Sequence, residues 1–177
     1  MDFVTGYRSP LGKLTLASDG DHLIGLWLPE QKYFGATLRN PSVEREDLPV
    51  FRAAEFWLEQ YFSGARPNPT LLPLAPRGTD FQRAVWRVLS EIPYGKVVTY
   101  GGIAQKMAEK TGRLSVSPRA VGGAVGRNPI SIIIPCHRVI GSDGRLTGYA
   151  GGLEQKRFLL ENEGLDPAAL IPLKGAW

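Results

Sequence analysis

The chain has 177 residues, enough for one ordinary domain or two small ones. With 43% hydrophobic and 21% charged residues it is globular rather than disordered, and no apolar run approaches the ~18 residues a membrane helix needs. One Cys (Cys136) and two His (His22, His137) rule out an internal disulfide and leave a four-ligand Cys/His zinc site without its ligands. The lone Cys and the lack of a visible signal peptide point to a reducing, cytoplasmic setting.

Net charge is +4 but unevenly spread. Residues 1–76 hold 7 Lys and Arg against 9 Asp and Glu. Residues 77–157 hold 13 against 5, and residues 158–177 hold 1 against 3. A basic middle block between acidic ends reads either as a polyanion-binding surface or as ordinary solvated scatter.

The first third is β-rich. Gly12–Ala17 alternates apolar and polar residues, Ser18–Asp21 is turn chemistry, and His22–Leu28 resumes an apolar strand, which together predict a hairpin. Pro49 opens a helix whose Phe51, Ala54, Glu55, Leu58 and Phe62 share 3.6-residue spacing, with Trp57 and Tyr61 adding aromatic mass to cover a small sheet. Ser63–Gly78 is rich in Pro and reads as an interdomain connection or as a long surface loop, the charge shift favouring the connection.

Thr79-Asp-Phe-Gln82 has capping-box spacing, and Phe81, Val85, Val88, Leu89 and Ile92 form one apolar helix face stopped by Pro93. Val97–Tyr100 is extended and leads into a helix through Ile103, Ala104 and Met107. Ser117-Pro118 is an N-cap and first-turn pair for a further helix to about Gly126. The two helices have the outline of a helix-turn-helix with a long turn. Ser131–Ile134 predicts a buried strand, Val139–Tyr149 a hairpin or wing, and Glu154–Glu163 a helix ended by Gly164, after which the Pro-rich tail reads as loose.

Pro135-Cys-His-Arg138 carries the chemistry. A nucleophilic Cys needs a base or a positive field to form its thiolate; His137 and Arg138 are adjacent, and a carboxylate from elsewhere would orient the His. A lone Cys is more often a small core hydrophobe than a nucleophile, and a structural His137 satisfied by the backbone is equally ordinary. Six blocks add context: Pro93-Tyr-Gly…Val-Thr-Tyr100, Arg119–Ala124, Asn128-Pro129, Ile134–Val139, Gly148–Gly152, and Lys156–Leu160 with Glu163-Gly164. In this order they resemble the 6-O-alkylguanine-DNA alkyltransferases, DNA repair proteins also called methylated-DNA–protein-cysteine methyltransferases.

The resemblance implies an α+β chain. A small N-terminal β-sheet domain with a covering helix, ribonuclease H-like, would span residues 1–76, its Pro-rich linker starting near 63. A winged helix-turn-helix domain would span 77–165, with a tail over 166–177. It implies direct, irreversible, one-time transfer of an alkyl group from 6-O-alkylguanine, and from 4-O-alkylthymine as an open question, to Cys136 after nucleotide flipping, because a base edge inside a duplex is out of reach. Within that resemblance Cys136 is the acceptor, His137 a water-linked base and Glu163 its orienting carboxylate. Asn128 braces the active-site turn, and Tyr100 helps rotate the nucleotide and protonates the departing guanine. Arg119 is the finger that fills the gap, and Tyr149, Ala150 and Gly151 form the pocket lid. Ser142 lies where the wing meets DNA, and Gly101, Pro129 and Arg138 join the DNA-facing set. The partner is double-stranded DNA bearing alkylated guanine, met by a monomer that is open to cooperative binding. No cofactor, metal or membrane is implied.

Gly122 and Gly123, poor helix formers, suit either close approach to DNA or helix packing alone. Arg119 as a plain solvated cap is its bland alternative. Two departures from the resemblance are Ala150, where some relatives carry a larger or polar residue, and the long 108–117 segment. A damage-binding module without transfer, a winged-helix regulator and a Cys–His hydrolase are the competing readings; intact mass after incubation with alkylated DNA separates them.

Overall fold

A computed structural model of the chain describes residues 1–175 and 177. Its fold is α+β, in two compact units. The first comprises Met1–Arg77 together with Pro129–Ile133; the second comprises Gly78–Asn128 and Ile134–Trp177.

In the first unit β1 (Asp2–Ser9), β2 (Gly12–Ser18), β3 (Leu23–Trp27) and β4 (Ser42–Glu44) form one sheet in the order β3-β2-β1-β4. The predicted hairpin is β2–β3, antiparallel with Leu16 opposite Leu26. Its turn is closed by the Asp19 carboxylate, which accepts from the Asp21 and His22 amides at 3.1 and 2.8 Å. Helix α1 (Pro49–Phe62) starts with Pro in its first turn and buries Val50, Phe51, Ala54, Trp57, Leu58 and Tyr61, the i, i+3, i+4 stripe of an amphipathic helix.

The Pro-rich connection is bound to this sheet rather than free. Leu23 donates to the Pro73 carbonyl at 2.8 Å, and Ala75 donates to the Leu23 carbonyl at 2.9 Å. Beyond it, Arg77 grips the buried Asp2 carboxylate with two bonds of 2.6 and 2.8 Å, which hold that carboxyl below the usual range.

Ser131–Ile134 is a correction to the sequence reading. Ile130 bridges Leu26, Leu26 donates to the Pro129 carbonyl at 2.8 Å, and Ser131 donates back to the Leu26 carbonyl at 2.9 Å. The extended run then stops, because Ile132 adopts φ +69°, and Ile133 turns back to bond the Ser131 carbonyl. A buried β-branched residue in the left-handed region is strained, held there only by its surroundings. Hydropathy alone reads such a run as a strand, whereas the chain uses it as one bridge and a turn.

In the second unit α2 (Asp80–Leu89) opens with the capping box, Thr79 and Gln82 bonding each other's backbone amides. It packs with α3 (Tyr100–Thr111) and α4 (Pro118–Gly126), and the buried Trp86 indole donates to the Ala124 carbonyl at 2.9 Å. Thr99 caps α3, Gly112 ends it at φ +65°, and Ser117 caps α4. Short strands β5 (Val98–Thr99) and β6 (Val139–Ile140) pair in parallel.

Two further expectations change here. The stretch after β6 is a turn, with Gly141 donating to Arg145 and no returning strand, so the wing is a loop rather than a hairpin. The tail is docked rather than loose. Leu170 is buried with Val97, Ile140 and Leu160, and Leu173 donates to the Val97 carbonyl at 2.8 Å. Helix α5 (Leu153–Asn162) completes the unit.

Candidate active site

Cys136 opens a one-turn 3-10 helix, Cys136–Arg138, directly after Pro135. Its amide donates to the Ile134 carbonyl at 2.8 Å, and Arg138 closes the turn on the Pro135 carbonyl. The turn places Cys136, His137 and Arg138 in the interior of the second unit, with exposures of 5%, 0% and 8%.

Burial pushes the Cys136 thiol up, so the resting group is protonated. Four features oppose that trend: a hydrogen bond from the Asn128 side chain, the positive charge of Lys156, the Cys136 backbone amide and a hydrogen bond from the Tyr149 side chain. Asn128, buried just past α4, also donates its amide to the Ile134 carbonyl at 2.8 Å. It thereby holds the backbone that enters the Cys136 turn.

His137 and Arg138 converge on one carboxylate. His137 Nε2 lies 2.6 Å from Glu163 Oε1. Arg138 Nε donates to Glu163 Oε2 at 2.9 Å and Nη2 to Oε1 at 3.0 Å, while Nη1 donates to the Ile92 carbonyl at 2.7 Å. The Gly95 amide donates to Oε2 at 2.9 Å. Gly95 sits at φ +68°, and a Cβ there would stand 3.2 Å from the Glu163 carbonyl oxygen, so the Tyr94-Gly95 turn needs glycine to deliver this amide.

Burial raises the Glu163 carboxyl and burial lowers the His137 imidazole, but the cations and donors around Glu163 overcome its burial and hold it far below the usual carboxylate range. Net, the imidazole is held below its usual value and is neutral. An ionised carboxylate only accepts, so Nε2 carries the proton and Nδ1 the lone pair. The ring is set up to receive a proton.

Arg138 departs from its expected place among the DNA-facing residues. It is buried and committed to Glu163, because an ionised carboxylate at this depth requires a compensating cation. Pro129 departs likewise: it is buried, groups with the first unit, and gives its carbonyl to Leu26.

Lys156 stands in one of the six motif blocks, where the resemblance gives it no role. It is fully buried on α5, and its ammonium donates to the carbonyls of Val139 at 2.5 Å, Thr147 at 2.8 Å and Gly148 at 3.3 Å. Burial pushes its pKa down to about 8, against the upward pull of Cys136. Lys156 therefore ties the strand after Cys136 to the segment that leads into Tyr149. A signal existed: positions 156, 159, 160 and 163 share one helix face, so Lys156 and Glu163 lie on the same stripe as buried Leu159 and Leu160.

Tyr100, first residue of α3, is partly buried; burial raises its hydroxyl pKa, its side chain bonds that of Thr147, and it senses the charge of Cys136. Tyr149, Ala150 and Gly151 are half-buried. Arg119 in the first turn of α4, Gly101 in the first turn of α3 and Ser142 in the loop after β6 are exposed. A Cβ on Gly122 would meet the Tyr100 ring at 3.7 Å, an ordinary contact, and one on Gly123 would meet nothing within 4 Å. Packing within the unit therefore does not demand glycine at 123. Among the described residues no group of three or more His, Cys, Asp or Glu is placed to hold a metal, and no helix is long and apolar enough to cross a membrane.

Two family models match the chain. That for the 6-O-methylguanine DNA methyltransferase ribonuclease-like domain covers residues 3–76, and that for the DNA binding domain of the same family covers residues 80–165. The methylated-DNA–protein-cysteine methyltransferase of Haemophilus influenzae is 45% identical over 162 residues, 91% of this chain and 86% of its own. That of Mycobacterium tuberculosis is 45% identical over 157 residues, 88% of each. The crystal structure of Mycobacterium tuberculosis OGT in complex with DNA superposes with a TM-score of 0.77 at 42% identity, covering 91% of this chain and 92% of that one. The methyltransferase of the archaeon Pyrococcus kodakaraensis superposes at 0.64 with 28% identity, covering 93% and 100%.

Proposed function

From the premise that the chain belongs to the 6-O-methylguanine DNA methyltransferase family, we propose a division of labour among the residues around its one cysteine. The protein repairs DNA by transferring an alkyl group from alkylated guanine to that cysteine, Cys136, and is consumed in the act. The observation that carries the assignment of roles is the convergence of a neutral His137 and an ionised Glu163 beside the buried thiol.

In this reading His137 takes the thiol proton at Nδ1 through a bridging water, and Glu163 stabilises the imidazolium that results. Asn128, Tyr149 and Lys156 stabilise the thiolate by donation and charge. The thiolate attacks the alkyl carbon, an S–C bond forms, and the C–O bond to guanine breaks with the electron pair leaving on the base. Tyr100, kept protonated by its raised pKa, supplies the proton that neutralises the departing guanine. No cofactor enters these steps.

The target base must leave the duplex to reach a buried thiol. Arg119 fills the gap from the start of α4, the open face of Gly123 lets backbone approach DNA, and Gly101 and Ser142 meet the phosphates. Tyr149–Gly151 forms the lid, where the small Ala150 leaves room for adducts larger than methyl. The protein works in the cytoplasm, on DNA, as a monomer.

Incubation with duplex carrying 6-O-methylguanine is expected to raise the intact mass by one methyl group per chain, at Cys136, and Cys136→Ser is expected to abolish the gain. Binding with no mass gain, or product formed over many turnovers, would overturn the proposal.

A further inference from the structure

The helix-turn-helix carries an extension that the repair chemistry leaves unused. Gly112 turns the chain out of α3 at φ +65°, with the Arg113 amide bonded to the Ala108 carbonyl, and the chain rejoins α4 only at Ser117. From Glu109 through Ala120 every residue is exposed except half-buried Val116. At its apex Leu114 has a relative exposure of 106%, so nothing among the described residues covers it. Thr111, Gly112, Arg113 and Ser115 surround it, all exposed.

Beyond Glu109 the charge along this segment is positive. Between positions 110 and 127 stand Lys110, Arg113, Arg119 and Arg127 with no Asp or Glu among them. Glu91 pairs with Lys110 at 2.5 Å, and Arg113 is exposed beyond that pair. The exposed ribbon runs without a break into the first turn of α4, which carries Arg119, inside the stretch matched by the DNA binding domain model. An apolar side chain raised among cations, continuous with a DNA-binding helix, fits a duplex: cations meet phosphates, and a Leu packs against sugars and base edges in the minor groove.

We infer that the Lys110–Ser117 segment is a second DNA-contact element, in which Arg113 pairs with a backbone phosphate and Leu114 wedges into the minor groove beside the lesion. It rests on the repair function of the chain and adds to it a grip on the flanking duplex. The grip helps to hold the distorted DNA while the nucleotide is extruded.

The test separates binding from chemistry. Affinity for a short duplex carrying 6-O-methylguanine is measured by fluorescence anisotropy across a salt series, in the Cys136→Ser background. Leu114→Ser is expected to weaken binding about five- to tenfold with the salt slope unchanged. Arg113→Gln is expected to reduce the slope of log affinity against log salt by about 0.9, the loss of one phosphate contact. With Cys136 present, the doubly substituted chain is expected to lose rate on duplex but to react with free 6-O-benzylguanine base as fast as the parent. Unchanged duplex binding by the double variant overturns the inference. So does an equal loss on duplex and free base, which would mark a folding role. A parent chain that gains no mass from alkylated duplex would instead overturn the repair assignment.

Discussion

Glu163→Gln keeps the shape of the side chain and removes its charge. The carboxylate accepts from His137, from two nitrogens of Arg138 and from the Gly95 amide, all inside the second unit. A glutamine offers one acceptor oxygen and turns an NH2 toward groups that are themselves donors. The Arg138 guanidinium is left buried without a counter-charge. Breaking a buried pair from one side costs roughly 3–5 kcal/mol. For a chain of this size that lowers Tm by roughly 6–20 °C. Removing both charges, as Arg138→Met with Glu163→Leu, is expected to cost less stability than Glu163→Gln, because no charge is stranded.

Acid behaviour gives the same substitution an independent readout. The folded pKa of Glu163 lies far below its unfolded value of about 4.3, so its stabilisation is complete above that value and is lost as pH falls toward the folded one. The gap between the melting curves of parent and Glu163→Gln should therefore narrow as pH drops from about 5 to 3. Single-turnover transfer at neutral pH, read by intact mass, should slow roughly 10²–10⁴-fold, since His137 loses the partner that fixes its tautomer. A Glu163→Gln chain that melts within about 2 °C of the parent at pH 7, or keeps a constant gap down to pH 3, would refute the electrostatic account of this cluster.

Lys156→Met removes the charge that stabilises the Cys136 thiolate and the link between Val139 and Thr147–Gly148; transfer at pH 7 should slow roughly tenfold, a change of about 1.4 kcal/mol in the barrier. Because the lysine itself loses its proton above about 8, the gap between parent and variant should narrow from pH 7 to pH 9, which paired rate profiles will show. Gly123→Ala meets open space and should raise stability by about 0.5–1 kcal/mol in urea melts, while slowing transfer from duplex and sparing transfer from free base. Trp86→Phe loses the indole bond to the Ala124 carbonyl, which keeps only the Arg127 amide; it should cost about 0.5–1.5 kcal/mol by the same melts.

Much of the architecture was legible because its signals are local. The Thr79–Gln82 capping box, Pro118 after Ser117, Pro49 at the start of α1 and the Asp19 turn each need only a few neighbouring residues to act, so their reading survives folding. Cys136, His137 and Glu163 were legible through motif resemblance. Hydropathy failed where long-range partners decide the backbone. Ser131–Ile134 is as apolar as a strand, yet its backbone pairing stops after Ser131 bonds the Leu26 carbonyl, and Ile132 turns away. The tail looked loose because the burial of Leu170 depends on Val97, Ile140 and Leu160, which are distant in sequence.

The sequence by itself determined the helix boundaries, the nucleophile and its family, since these rest on short-range chemistry and motif order. Only tertiary structure decided the state of the charges around that nucleophile. Arg138 reads as a charge beside Cys136 and a DNA-facing residue until folding brings Glu163 to it, and Lys156 has no assigned role until α5 turns it inward to three carbonyls. A charge in water costs little wherever it lies along the chain, whereas a buried charge persists only where partners from distant segments meet it. Which cations stay at the surface and which join the cluster around Cys136 and Glu163 is therefore decided by burial, and burial is a property of the folded chain.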